Sequence, residues 1–156
     1  TSLYEPPKIR GLEDWVKTSR QHSGAKLVPT NSRGVAELLQ ALKRGETIGI
    51  LPDQQPPSNA GAFAPLFGKP AMTMTLVHKL LKRCEANVLF CAALRISGGW
   101  NIHFTLADPA IHSADQEESV SALNRGVERI AGLELSQYQW EYKRFRQQPK
   151  GFSSIY

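Results

Sequence analysis

The stretch from Ile48 to Ala71, Ile48-Gly-Ile-Leu-Pro-Asp-Gln-Gln-Pro-Pro-Ser-Asn-Ala-Gly-Ala-Phe-Ala-Pro-Leu-Phe-Gly-Lys-Pro-Ala71, constrains this chain most. An apolar run bounded by Gly45 and Pro52 is too short for a helix and reads as a buried strand. It stops at Pro52-Asp53-Gln54 and opens into a long loop, polar first and then aromatic. Asp53 is thereby expected at the carboxyl end of a strand, where α/β folds keep their sites. An ordinary surface loop capped by an Asx turn is the plainer alternative.

Punctuation of the chain outlines the rest. A helix is expected over residues 9–22, with Leu12, Trp15 and Val16 on one side, and a short strand over Lys26–Val28 ending at Pro29. Val35, Leu38, Leu39 and Leu42 recur at helical spacing, with Gly45 as the stop. After the loop, a helix is expected from about Thr73 to Arg83, with Met72 and Met74 at its start as packing residues or as a lipid-facing wall. Asn87–Arg95 and Trp100–Ala107 read as strands of a hairpin joined by Ile96-Ser-Gly-Gly99. Trp100, Ile102, Phe104 and Leu106 alternate with Asn101, His103, Thr105 and Ala107, the period of a half-buried strand. Val120, Leu123, Val127 and Ile130 mark one more amphipathic helix. The fold class is therefore α/β, a mixed sheet with a β-hairpin flanked by helices.

With 156 residues, 41% of them hydrophobic, and no low-complexity run, the chain suits a single folded domain. No apolar run approaches the roughly 18 residues of a membrane span, and no signal peptide opens the chain. It reads as soluble or peripheral. Cys84 and Cys91 lie in apolar patterns without metal-ligand spacing, which points to buried free thiols in a reducing, cytoplasmic setting. Neither a metal nor a cofactor is expected: the chain has no Gly-x-Ser-x-Gly, phosphate-loop, dinucleotide or His-Glu-x-x-His motif.

The formal charge of +5 favours anionic partners. Between Tyr138 and Lys150 the basic residues Lys143, Arg144, Arg146 and Lys150 face a single acid, Glu141, and interleave with Tyr138, Trp140, Tyr142 and Phe145. On the residues alone this block is a nucleic-acid patch, an interfacial anchor or a closing helix packed through Tyr138, Tyr142 and Phe145.

The Pro52-Asp53-Gln54 block and the following Gly-x-Phe-x-Pro-x-Phe-Gly-x-Pro-Ala resemble the bacterial lipid A biosynthesis acyltransferases, the late lauroyl and myristoyl transferases of lipopolysaccharide assembly. Arg20-Gln-His-Ser-Gly24-Ala-Lys-Leu-Val-Pro29 and Gly34 to Glu46 are similar to the family's segments ahead of that strand. Gln137-Tyr-Gln-Trp-Glu-Tyr-Lys-Arg-Phe-Arg146 resembles its closing block. Four blocks in the family's order cover nearly the whole chain. The resemblance implies an incomplete acyltransferase-like sandwich, with residues 1–156 as the carboxy-terminal part of one acyltransferase domain. It places the family's catalytic His, followed after four residues by Asp or Glu, and its membrane anchor upstream of residue 1.

Two spacings inside the chain imitate that motif, His103 with Asp108 and His112 with Glu117. Residues five apart on a strand point to opposite faces and lie roughly 16 Å apart, beyond hydrogen-bond reach, so His103 is not expected to be catalytic. His112 falls in a polar connection and reads as a solvated loop residue. No catalytic residue is therefore assigned within the chain, and the chain by itself is expected to be inactive.

What the resemblance implies is transfer of a fatty acyl group from acyl carrier protein to a hydroxyl of a lipid A precursor, at the cytoplasmic face of the bacterial inner membrane. By the same resemblance Arg20, Asp53 and Gln54 are substrate-binding candidates, with Arg20 and Asp53 expected side by side. Lys143, Arg144 and Arg146 are expected to meet carrier-protein acid, lipid phosphate or the membrane surface, which leaves nucleic acid the poorer match. The alternative is a non-catalytic basic module for an anionic ligand, lipid surface or nucleic acid.

Overall fold

A computed structural model describes residues 1–7, 9 and 11–156. They divide into two compact units, Thr1–Leu51 and Pro52–Tyr156.

In the first unit, β1 (Ser2–Tyr4) and β2 (Leu27–Pro29) pair in parallel, with Leu3 opposite Val28. Helix α1 (Glu13–Gln21) precedes β2, and α2 (Ser32–Lys43) follows it. The expected first helix begins later than residue 9, and Arg10 lies outside the described residues. Trp15 is 68% exposed, so the apolar side expected of this helix is not buried. Asn31 caps α2 by accepting from the Gly34 N–H at 3.1 Å. A Cβ on Gly34 would meet the Pro29 carbonyl oxygen at 1.7 Å, so only glycine lets the helix lie this close to the end of β2. Leu38, on the stripe read from the sequence, is fully buried, and so is Ala41, which lay outside that stripe. Gly45 follows the helix with φ of +76°.

The buried strand expected over Ile48–Leu51 shrinks to a single parallel bridge between Gly49 and Ser2. Leu51 is 62% exposed. The bridge gives the Gly49 N–H a partner, the Thr1 carbonyl at 2.9 Å, but the flanking residues extend no ladder.

The second unit contains the larger correction. Where a long loop was expected through Ala71, residues Gly61–Leu66 (β3) and Lys69–Met74 (β4) form an antiparallel hairpin. Its two-residue turn, Phe67-Gly68, has φ of +49° and +70°, as a type I′ turn requires. Proline is rare within strands. Pro65 and Pro70, however, stand directly opposite each other, one step from the pair that closes the turn. Residues of such a pair point their backbone nitrogens outward, so neither proline removes a hydrogen bond from the ladder.

Because β4 takes Thr73 and Met74, helix α3 is confined to Leu76–Leu81. The second hairpin is as expected in kind: β5 (Leu89–Ile96) and β6 (Gly99–Leu106) are joined by Ser97-Gly98, a tighter turn than the four residues read as loop. Helix α4 (Gln116–Ala131) packs on both hairpins. Asp115 caps it, Glu117 and Glu118 open it and Arg129 sits in its last turn, in keeping with the helix dipole. A Cβ on Gly126 would stand 2.0 Å from the Phe90 ring, so this glycine is the notch into which β5 inserts its buried aromatic.

Both pairing senses and four helices place the described residues in the mixed α/β class expected, with the strands in three two-stranded sheets. The alternation along β6 also holds, but its sense is reversed. Trp100, Ile102, Phe104 and Leu106 are exposed, because α4 covers the opposite face through Phe90. Cys91 shares the uncovered face and is exposed, and Cys84 is half-buried. Both thiols are free, but the expectation that they are buried is corrected.

His78 on α3 is only 5% exposed. Burial pushes its imidazole below the ordinary histidine range, and repulsion from Lys82 and Lys79 adds to this against the pull of Asp115. A histidine held neutral in the fold costs stability once the unfolded chain starts to bind its proton. Unfolding free energy is therefore expected to fall as pH drops through about 6.5, with a slope of at most about 1.4 kcal/mol per pH unit. Denaturant melts between pH 7.5 and 5 should show this slope in the parent chain and its loss in His78→Gln.

Candidate functional site

Two of the sequence blocks singled out above are far apart in the chain and meet in the second unit. The closing block forms no helix: after a short turn at Leu135–Gln137 it runs irregularly, which removes the packed helix as a reading of Tyr138, Tyr142 and Phe145. It lies instead along β4. Residues Pro70 and Met72 turn their carbonyls to the outer edge of the hairpin. Gln148 Nε2 donates to the Pro70 carbonyl at 3.3 Å, and Arg144 Nη1 donates to that of Met72 at 2.7 Å. The edge that a further strand would occupy is thus covered by side chains.

Arg144 is 3% exposed. Its Nη2 donates to the Thr73 hydroxyl at 3.0 Å, and Asn124 Nδ2 donates to the same oxygen at 2.9 Å. Thr73 donates in turn to the Ala71 carbonyl at 3.0 Å, and Asn124 Nδ2 reaches the Pro65 carbonyl at 2.8 Å. One buried chain of hydrogen bonds therefore links α4, both strands of the first hairpin and the closing block. Arg144 Nε is buried without a partner among the described residues.

Aromatic rings line a small cavity together with this cation. Phe67, held in the hairpin turn, stands 5.4 Å from Trp140 and 6.3 Å from Tyr138, and those two rings meet edge to face at 4.8 Å. Glu128 on α4 fixes the turn by accepting from the Phe67 N–H at 2.6 Å. The cavity between Leu66, Tyr138, Tyr142 and Arg144 measures about 30 Å³, room for a water or two. It is too small for a substrate.

Asp53 enters the same neighbourhood. The Gln55 N–H donates to the Tyr142 hydroxyl at 2.9 Å, tying the Pro-Asp-Gln loop to the closing block. Burial lowers the Arg144 guanidinium from its ordinary value, opposed by Tyr138, Tyr142 and Asp53. Burial raises the Tyr138 phenol, and the charge of Asp53 adds to that. Asp53 is half-buried and Gln54 exposed. Burying a guanidinium is costly unless charge or hydrogen bonds compensate it. Here two hydrogen bonds and the field of Asp53 do so.

The other candidates lie as follows. Arg20 sits in the last turn of α1, in the first unit, with its guanidinium carbon 5.7 Å from the centre of the Tyr4 ring. Lys143 and Arg146 are exposed, and the Lys143 ammonium stands 5.7 Å from the Tyr156 ring centre. The outward-facing basic cluster expected here thus holds for these two and not for Arg144, which the edge carbonyls and Thr73 draw inward. His103 is paired with Ala92 on β6, and Asp108 is engaged elsewhere, accepting from the Ala110 N–H at 2.9 Å and Arg125 Nη2 at 2.8 Å. His112 is exposed. Among the described residues no cluster of three metal-ligating side chains occurs, and no helix is long and apolar enough to cross a membrane.

Sequence reasoning missed Thr73 and Asn124. Asn124 was detectable as a polar residue within the apolar stripe of Val120, Leu123 and Val127, and a buried amide needs partners. Replacing Arg144 with Met is expected to destabilise the second unit by about 2–4 kcal/mol, since two buried acceptors lose their donor. Arg144→Lys should restore only part of this, because an ammonium cannot span both acceptors as the planar fork does. Denaturant melts followed by Trp140 fluorescence check both.

The family model for bacterial lipid A biosynthesis acyltransferases matches residues 1–147. The chain is similar to the lipid A biosynthesis palmitoleoyltransferase of Escherichia coli (strain K12), with 25% identity over 154 residues, 96% of this chain and 49% of that protein. It is 26% identical to the lipid A biosynthesis lauroyltransferase of the same organism over 154 residues, 96% of this chain and 50% of that protein. A lipid A biosynthesis acyltransferase of Haemophilus influenzae (strain ATCC 51907 / DSM 11121 / KW20 / Rd) is 28% identical over 155 residues, 97% of this chain and 47% of its own length. The chain spans about half the length of the curated relatives it matches. By the extent of the family match, this chain belongs to the bacterial lipid A biosynthesis acyltransferase family.

Proposed function

We propose that this chain is the carboxy-terminal, substrate-binding part of an enzyme that moves a fatty acyl group from acyl carrier protein to a hydroxyl of a lipid A precursor. The observation that carries the reading is the meeting of the Pro-Asp-Gln loop and the closing basic block around Arg144, joined at Gln55 and Tyr142. Two segments more than eighty residues apart, each resembling a family block, build one neighbourhood.

In this reaction the acceptor hydroxyl attacks the thioester carbonyl, a base takes the hydroxyl proton, and the carrier thiolate leaves. The base is proposed to come from a His and carboxylate upstream of residue 1, together with a membrane anchor. Within this chain, Arg20, Asp53 and Gln54 bind or orient substrate polar groups. Arg144 acts as a positioning residue that holds the closing block in place. Lys143 and Arg146 offer exposed cations to carrier-protein acid, to lipid phosphate or to the cytoplasmic face of the inner membrane, where each basic residue contributes about 1 kcal/mol that salt screens.

Acyl transfer from acyl carrier protein to a lipid A precursor is expected to be undetectable with this chain alone and present in the polypeptide extended to the length of its relatives. In that longer protein, Lys143→Gln with Arg146→Gln should raise KM, flatten its salt dependence and leave the fold intact. Anionic-vesicle binding by an extended polypeptide that transfers no acyl group would favour the non-catalytic basic module instead.

A further inference from the structure

The second hairpin has one covered face and one bare face. Phe90 turns toward Gly126 of α4 and is buried. On the opposite face Leu89, Trp100, Ile102, Phe104 and Leu106 are 55%, 57%, 49%, 67% and 67% exposed, and Cys91, paired with Phe104, lies among them. A contiguous apolar patch of this kind marks an interaction surface.

The same residues leave the sheet edges open. Ile96 and Gly99 flank a two-residue turn and exchange hydrogen bonds, so the alternate pairs, including Cys91 with Phe104 and Ala93 with Ile102, direct their backbone groups outward. The side chain of Gln137 takes both outward groups of Arg95, at 2.7 and 3.1 Å, and Arg129 takes the Leu106 carbonyl at 2.6 Å. Among the described residues nothing pairs with the outward groups of Cys91, Ala93, Ile102 or Phe104.

We infer that this face and its open edges are the docking surface for the half of the family's polypeptide that lies outside the matched region. Three observations select that occupant. The relatives are about twice as long as their match to this chain, so a comparable length of polypeptide needs a seat. A lipid surface would leave the edge N–H and carbonyl groups unpaired in hydrocarbon, whereas a peptide strand pairs them. An anionic partner would find one cation on the face, Arg95, whose guanidinium carbon already lies 5.3 Å from the Trp100 ring centre. The docking segment therefore adds a strand to β5 or β6 and lays apolar side chains over Trp100, Ile102 and Phe104. This inference rests on the family assignment and does not depend on acyl transfer.

Cys91 reports on the face directly. In a Cys84→Ala background, maleimide should modify Cys91 at the rate of a free thiol in this chain and at least about tenfold more slowly in the polypeptide extended to its relatives' length. Equal rates in the two proteins overturn the inference. Slow modification in this chain alone overturns it as well, assigning the face to the chain's own residues if dilution has no effect and to a second copy if dilution restores reactivity. Protection of the extended polypeptide only when phosphatidylglycerol vesicles are added would assign the face to membrane, and a reading frame that does not extend beyond these residues removes the proposed occupant.

Discussion

The second unit depends on a single oxygen, the Thr73 hydroxyl. It accepts from Asn124 of α4 and from Arg144 of the closing block, and it donates to the backbone of its own strand. Such a centre gives partners at once to the amide of a helix and to one nitrogen of the guanidinium of an irregular segment, and burial of either group without partners is costly. Around it the first hairpin is fixed from both sides, by Asn124 at the Pro65 carbonyl and by Arg144 at that of Met72.

Legibility in the sequence followed the strength of local periodicity. Helix α2 and helix α4 were readable from their apolar stripes, and the hairpin of β5 and β6 from alternation beside a Gly-containing turn. The first hairpin was hidden by Pro65 and Pro70, whose harmlessness depends on their register opposite each other, a property of pairing and not of either strand alone. The strand read at Ile48–Leu51 failed for the converse reason: an apolar run supplies propensity, but a ladder requires neighbours, and only Gly49 found one.

The candidate site was legible as a set of residue types and not as roles. Asp53 and the closing block were singled out as segments, and Arg144 was grouped with Lys143 and Arg146 because three cations in four residues look alike in sequence. Two edge carbonyls and a threonine hydroxyl separate it from them, and these are set by strand register. The alternation of β6 similarly revealed two faces without revealing which one a helix would cover. That choice was made by Gly126, the position at which α4 admits the Phe90 ring.

The central claim is that Arg144 and Thr73 act as one unit binding the closing block to β4. A double-mutant cycle with Thr73→Val and Arg144→Met, read as unfolding free energies of this chain, tests it most directly. A coupling energy of about 1–3 kcal/mol is the predicted result, since residues sharing a buried hydrogen bond do not behave independently. Additivity within about 0.3–0.5 kcal/mol would contradict the account and return Arg144 to the solvated cations of the closing block.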